Sequence, residues 1–203
     1  MMRSIAEPTL TYHTNKFTPK LLSGFTDDHT NSEFLRIFDR YCYDSIPVTN
    51  KQFEFDNNNK INIEFKYILN EAYNLLYSQG FHVDKNMGLI ELWKYTSNGR
   101  KVCVPLAMHC DDNNSLDYAV ETCIFYLDKD DCIDGGGLYY VENTKKNKLL
   151  GIIPYYETET KYLDVCGNTV VLLSGNLVYR PKSIIGLGSK KYIVVQFKSL
   201  DRN

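Results

Sequence analysis

The chain is short of histidine, paired cysteines, charge of one sign and long apolar runs. Only four histidines (13, 29, 82 and 109) occur in 203 residues, and none follows His109. The six cysteines (42, 103, 110, 123, 132 and 166) contain no C-x-x-C and several lie in apolar stretches. That spacing argues against a zinc or disulfide framework and for reduced, buried thiols. The net charge is −2, from 25 acidic and 23 basic residues, so nothing calls for nucleic acid or an anionic membrane as partner. No apolar run approaches the roughly 20 residues of a membrane span. Residues 1–14 are polar and carry no apolar signal core, so the expected setting is the cytoplasm.

What is present fits a globular chain. Hydrophobic residues make up 43% and charged residues 24%, and the length suits a single domain, 1–203. Tyrosine is abundant, at 16 residues, as are Asn, Ile and Lys, a bias common in AT-rich genomes, including some large DNA viruses. Residues 1–88 read as a lead-in with support helices. Pro8, Pro19 and Gly24 punctuate a mostly extended or loop-like start. Phe34, Ile37, Phe38 and Tyr41 recur at helical spacing, predicting a helix over 33–43 with capping candidates at 30–32. Residues 45–59 read as irregular. Ile61 to Gln79 carries one apolar face and ends at Gly80, which predicts a long helix packed on a sheet.

From Leu89 the period changes from helical to extended. Strands are predicted over 89–95, 102–106, 118–127, 138–141, 149–155, 169–173, 177–179 and 192–197, with a hairpin turn at 97–99 and an acidic loop at 128–136. Some eight short strands after two helices predict a mainly β fold, a double-sheet jelly roll with helices packed on one sheet and its core at 89–198. Within it lies His109-Cys110-Asp111. An imidazole and a carboxylate two residues apart at a strand end can reach one point, and the pair suits a divalent iron or manganese ion. Cys110 points to the opposite face and does not meet His109 as a nucleophile pair. The stretch 130–141 fails as a calcium loop, since its twelfth position is Val141. Gly135-Gly136-Gly137 lacks the Gly-Lys-Ser/Thr of a phosphate loop.

The order of features resembles the 2-oxoglutarate- and Fe(II)-dependent oxygenases, in particular the prolyl-4-hydroxylase-like branch. The residues concerned are Trp93 to Tyr95, Gly99, the His109/Asp111 pair, Phe125-Tyr126-Leu127, the Gly-Gly-Leu turn at 136–138, Gly167 to Ser174, Gly188-Ser189-Lys190 and a final strand to Phe197. The resemblance implies a double-stranded β-helix whose iron is held by two histidines and a carboxylate. It implies His109 and Asp111 as metal ligands and Lys190 as the cation for the distal carboxylate of 2-oxoglutarate, with Tyr95 and Arg180 as further cosubstrate-binding candidates. The family's second histidine is absent. Ten residues before Lys190 stands Arg180, whose protonated guanidinium has no lone pair for iron and could instead pair with Asp111 or bind an anion. Tyr179 could reach a metal only as phenolate. His82-Val83-Asp84 is a second H-x-D, where the family places no ligand.

Two functional expectations follow from the resemblance. One is an Fe(II)- and 2-oxoglutarate-dependent dioxygenase that hydroxylates a protein side chain through a reduced metal site. The other is a catalytically inactive binding module, supported chiefly by Arg180 where the family has its second histidine; the composition and the strand-rich stretch with its Gly-Gly turn are also similar to prolyl-hydroxylase-like poxvirus proteins that act on host signalling. In that case the chain would be a viral pseudoenzyme in the host cytoplasm, with a protein partner.

Overall fold

A computed structural model of the chain describes residues 18–23, 28–43, 47–56, 63–102, 109–113, 117–129, 133–141, 160–165 and 167–202. Residues 103–106 of the expected strand 102–106, the expected strand 149–155, His13, Cys103, Cys132 and Cys166 lie outside them. So do residues 1–17 of the lead-in and residues 130–132 of the acidic loop.

The central strands are apolar on both faces, and this decides the architecture. In Val120–Lys129 (β4), Cys123, Phe125 and Leu127 face one way while Ile124 and Tyr126 face the other, and all are buried. In Ile184–Ser199 (β10), Ile193, Val195 and Phe197 alternate with Tyr192 and Val194. A strand of that kind must be covered twice. The first set packs under two helices, Asp28–Tyr41 (α1) and Lys66–Ser78 (α2), through Phe34, Ile37, Phe38, Ile68, Ala72, Leu75 and Leu76. The second set faces a small sheet that contributes Leu138 and Tyr179.

The main sheet is antiparallel. Lys20–Ser23 (β1), Val48–Phe55 (β2), Val83–Asn98 (β3) and Thr169–Ser174 (β8) join β4 and β10 in the order β1-β8-β4-β10-β3-β2, and Ile133–Gly135 (β5) pairs with the start of β10. The facing sheet is Thr160–Leu163 (β7), Leu138–Val141 (β6) and Tyr179–Pro181 (β9), in the order β7-β6-β9. Two facing antiparallel sheets with helices outside are the expected jelly roll. Among the described residues no helix is long and apolar enough to cross a membrane.

Several local expectations need correction. Residues 20–23, in the extended or loop-like lead-in, form a strand, and 48–55, read as irregular, form another; both join the main sheet. In β2 the polar residues Asn50 and Gln52 alternate with Lys51 and Phe53, so neither face is strongly apolar and the period is hidden. β3 begins at Val83 rather than 89, and β10 at Ile184 rather than 192. The acidic loop contains β5. α1 starts at Asp28, so residues 30–32 lie inside its first turns rather than capping it. Gly99 ends β3 with φ +93 but makes no hairpin. Both flanks of β3 are already taken by β10 and β2, and the chain instead bridges β10 through Val102 and Ile184.

The stop of α2 is as expected. Gly80 adopts φ +82, its N–H donates to Tyr77 and that of Phe81 to Leu76, both at 3.0 Å. The 6→1 and 5→2 bonds satisfy the last carbonyls of the helix. Gly88 is constrained by space instead. It faces Phe197 at an irregularity in the β3–β10 pairing, where a Cβ would enter the Gln196 carbonyl oxygen and meet Phe55 Cζ at 2.8 Å. Gly88→Ala is therefore expected to lower stability by about 1–3 kcal/mol, the cost of overpacking against backbone. Urea unfolding of the variant beside the native chain checks this.

Candidate functional site

Strand register assembles the site. Residues 109 and 179 form an antiparallel bridge, with His109 N–H donating to the Tyr179 carbonyl at 3.0 Å and Tyr179 N–H to that of His109 at 2.8 Å. Directly opposed residues put their side chains on the same side, and the two rings lie 4.7 Å apart. Asp111, two residues on, opens a short 3-10 turn and shares that side. Its carboxylate is 2% exposed. It accepts from Tyr179 Oη at 2.9 and 3.2 Å and from Thr122 Oγ1 at 2.5 Å. His109 Nε2 is 3.7 Å from Asp111 Oδ1.

The turn is anchored from behind. Asp112 accepts from the Val120 N–H at 2.9 Å and pairs with Arg202, which also reaches Glu121 at 3.1 Å. The Asp112 N–H donates to the Gly175 carbonyl at 2.9 Å. These contacts, all distant in sequence, hold Asp111 over β4.

The three side chains line a cavity of about 310 Å³ against the inner face of the main sheet. Two cross-strand rows form its wall. One runs Asn50, Trp93, Tyr192, Tyr126 and the other Gln52, Glu91, Val194, Ile124, each across β2, β3, β10 and β4. Glu91 accepts from Trp93 Nε1 at 2.9 Å and from the Gln52 amide.

Burial sets the protonation of the site. It pushes the Asp111 carboxyl up from its ordinary value, against the pull of Thr122, His109 and Tyr179. It holds the Tyr179 phenol well above its ordinary range, and the Asp111 charge adds to this. Burial likewise raises Glu91, while Trp93 and Gln52 oppose it.

The remaining candidates fall elsewhere. Arg180, next to Tyr179 on β9, points the other way, with its guanidinium 5.4 Å from the Tyr139 ring. Adjacent strand residues face opposite sides, so Tyr179 takes the Asp111 contact that the sequence suggested for Arg180. Lys190 is 1% exposed, donates to the Gly136 carbonyl and lies 4.7 Å from the Tyr126 ring. Gly136 is needed there, since a Cβ would stand 2.7 Å from Lys190 Nζ. Tyr95 is opposite Lys190 in the β3–β10 pairing, accepts from Tyr192 Oη at 2.9 Å and stacks on Trp93. His82 pairs with Asp201 at the surface, 2.9 Å away, and is not on the cavity wall. Cys110 is a half-buried thiol, and Cys42 and Cys123 are buried thiols.

Sequence reasoning missed Asn50, Gln52, Glu91 and Thr122. Glu91 alone had a signal, a carboxylate between Ile90 and Leu92 in an apolar strand.

His109 Nε2 and Asp111 Oδ1 can share one ion. A divalent ion bonds N and O ligands at about 2.1 Å, so two donors can lie up to about 4.2 Å apart. Tyr179, a neutral phenol donating to Asp111, is the third group at this point. Among the described residues no three His, Cys, Asp or Glu side chains gather as a metal site.

No family model and no curated protein matches the sequence. Solved structures do match in fold. A Pseudomonas putida prolyl-4-hydroxylase aligns with a TM-score of 0.55 at 12% identity, over 89% of this chain and 91% of that one. HygX from Streptomyces hygroscopicus, with nickel and 2-oxoglutarate bound, aligns at 0.59 and 12% identity, over 91% and 84%. A Trichoplax adhaerens prolyl hydroxylase in complex with a hypoxia inducible factor peptide fragment aligns at 0.55 and 14% identity, over 92% and 86%. The chain therefore has the jelly-roll fold of 2-oxoglutarate- and Fe(II)-dependent oxygenases.

Two outcomes are expected. Tyr179→Phe removes a donor from a buried carboxylate and should cost about 1–3 kcal/mol in urea unfolding at neutral pH. For Glu91, the folded carboxyl lies above its ordinary 4.5, so the folded chain binds that proton more tightly than the unfolded one. Its contribution to stability is greatest in acid and declines as pH rises through the raised value. Glu91→Gln should flatten the decline in stability as pH rises above the ordinary 4.5, as read by unfolding at several pH values.

Proposed function

We propose that the chain is a prolyl-hydroxylase-like dioxygenase that uses Fe(II) and 2-oxoglutarate to hydroxylate a protein side chain. The observation that carries the reading is the approach of His109 Nε2 to Asp111 Oδ1, 3.7 Å, on the wall of a cavity in this fold. The donor set fits iron with two protein ligands, His109 as neutral imidazole and Asp111 as carboxylate. Tyr179 and Thr122 orient the carboxylate by donating to it, as outer partners of ligands do. Lys190, buried beside Gly136 and Tyr126, supplies the positive charge for the far carboxylate of 2-oxoglutarate. Trp93, Tyr126 and Tyr192 keep water from the intervening wall. Iron and 2-oxoglutarate, when bound, would supply the oxidising chemistry with dioxygen as the oxidant: one oxygen atom would end in succinate as 2-oxoglutarate loses CO2, and the other in the substrate hydroxyl. A peptide substrate is supported by the Trichoplax relative, whose structure contains one. Thiols at Cys42, Cys110 and Cys123 agree with a reducing, cytoplasmic setting.

The test is an anaerobic optical titration with Fe(II) and then 2-oxoglutarate. A saturable visible charge-transfer band is expected, absent in His109→Ala and weakened in Lys190→Ala. A folded protein that gives no band overturns the reading and leaves the inactive binding module.

A further inference from the structure

The two halves of the cavity wall differ in chemistry. On β4 and β10 the wall is Ile124, Tyr126, Tyr192 and Val194, with Asp111 bonded to Thr122 at its end. On β3 and β2 it is Glu91, Trp93, Asn50 and Gln52. Glu91 stands two strands from β4, about 10 Å across the sheet, and β2 is the sheet's edge strand. This second half is rich in acceptors. The donors to the Glu91 carboxylate are both neutral, the Trp93 indole and the Gln52 amide, and among the described residues no cation pairs with it. Asn50 Oδ1 is buried and has no hydrogen-bond partner. Among the described residues no lysine or arginine lines the β2–β3 half of the cavity. The buried Asn50 oxygen requires a donor, and the half-buried Glu91 carboxylate, bonded only to neutral donors, favours a cationic one. Among the described residues Glu91 does not join His109 and Asp111 in a metal-holding group, and the group that matches its carboxylate and the Asn50 oxygen together is a cationic hydrogen-bond donor.

We propose that the β2–β3 half of the cavity recognises a cationic side chain, an ammonium or guanidinium, held between the Glu91 carboxylate and the Asn50 carbonyl oxygen against the Trp93 ring. Each interaction has a physical reason. An ammonium or guanidinium has only donors to offer, matching a wall that presents acceptors. Its bond to a carboxylate is charge-assisted, and an indole face attracts a cation within about 6 Å. The proposal rests on reading this cavity as a substrate site, and it makes the substrate a basic residue rather than proline. The hydrocarbon stem of such a residue would then run along the wall toward His109 and Asp111.

The experiment uses Trp93, the only tryptophan in the chain. Its emission is followed while the full-length protein is titrated with N-acetyl-L-lysine methylamide, the arginine analogue, free L-lysine, or N-acetyl-L-norleucine methylamide as the neutral isostere. Each titration is run on the protein alone and again anaerobically with Fe(II) and 2-oxoglutarate. The lysine or arginine derivative is expected to shift the emission saturably, with norleucine binding at least about tenfold more weakly. Glu91→Gln should weaken the cation's binding about tenfold while leaving norleucine unaffected. Asn50→Asp, which adds a charge, should tighten it severalfold. Free lysine binding as well as the derivative would assign the cation to a free amino acid, and weaker binding would assign it to a peptide residue. Equal response to norleucine, an unchanged affinity in Glu91→Gln, or no saturable response to either cation in both conditions would overturn the proposal. Because the first condition contains no iron, this failure is distinct from the absence of the charge-transfer band.

Discussion

A carboxylate sealed from water must be given donors, and the site is arranged around that requirement at Asp111. Thr122 comes from β4 and Tyr179 from β9, so the hydrogen bonds of one side chain tie the main sheet to the facing sheet. The backbone bridge between residues 109 and 179 sets the separation at which both bonds can form. Remove either donor and the desolvation cost of the carboxylate is no longer offset. The imidazole of His109 depends on the same arrangement, because the bridge sets its ring beside that of Tyr179.

Tyrosine at 179 makes this arrangement self-sufficient in the absence of a metal. A histidine there would offer a lone pair to an ion. A phenol kept neutral by burial offers a proton, and the carboxylate takes it as a hydrogen bond. The site therefore sets one internal clamp beside the two side chains, His109 and Asp111, proposed above to hold iron. That division sets the terms on which iron would compete, since it gains the His109 and Asp111 lone pairs without displacing a third ligand.

Much of the fold was legible. The spacing of Phe34, Ile37 and Phe38 marked α1, and Gly80 marked the end of α2. The nearly unbroken apolar run from Val120 to Leu127 marked a strand buried on both faces. His109 and Asp111 were visible because two residues at i and i+2 must share a side. The rest required knowledge of partners. Whether Tyr179 or Arg180 faces Asp111 depends on register, and a shift of one residue exchanges them. β2 was missed for a reason tied to function. Asn50 and Gln52 give it polar character on the face that would otherwise read as core, and that face is the cavity wall. Glu91 stood out only weakly among apolar neighbours for the same reason.

β10 has a consequence for the order of assembly. It lies between β3 and β4, holds Lys190, and provides Tyr192 and Val194 to both rows of the wall. It is also the last strand among the described residues. During synthesis β3 and β4 emerge with their shared neighbour still to come, each with an open edge and two apolar faces. Closing that gap requires pairing across about a hundred residues, the kind of long-range contact that slows folding. Until it closes there is no cavity, and the exposed edges of β3 and β4 are the point at which a nascent chain is most open to a chaperone or to misassembly.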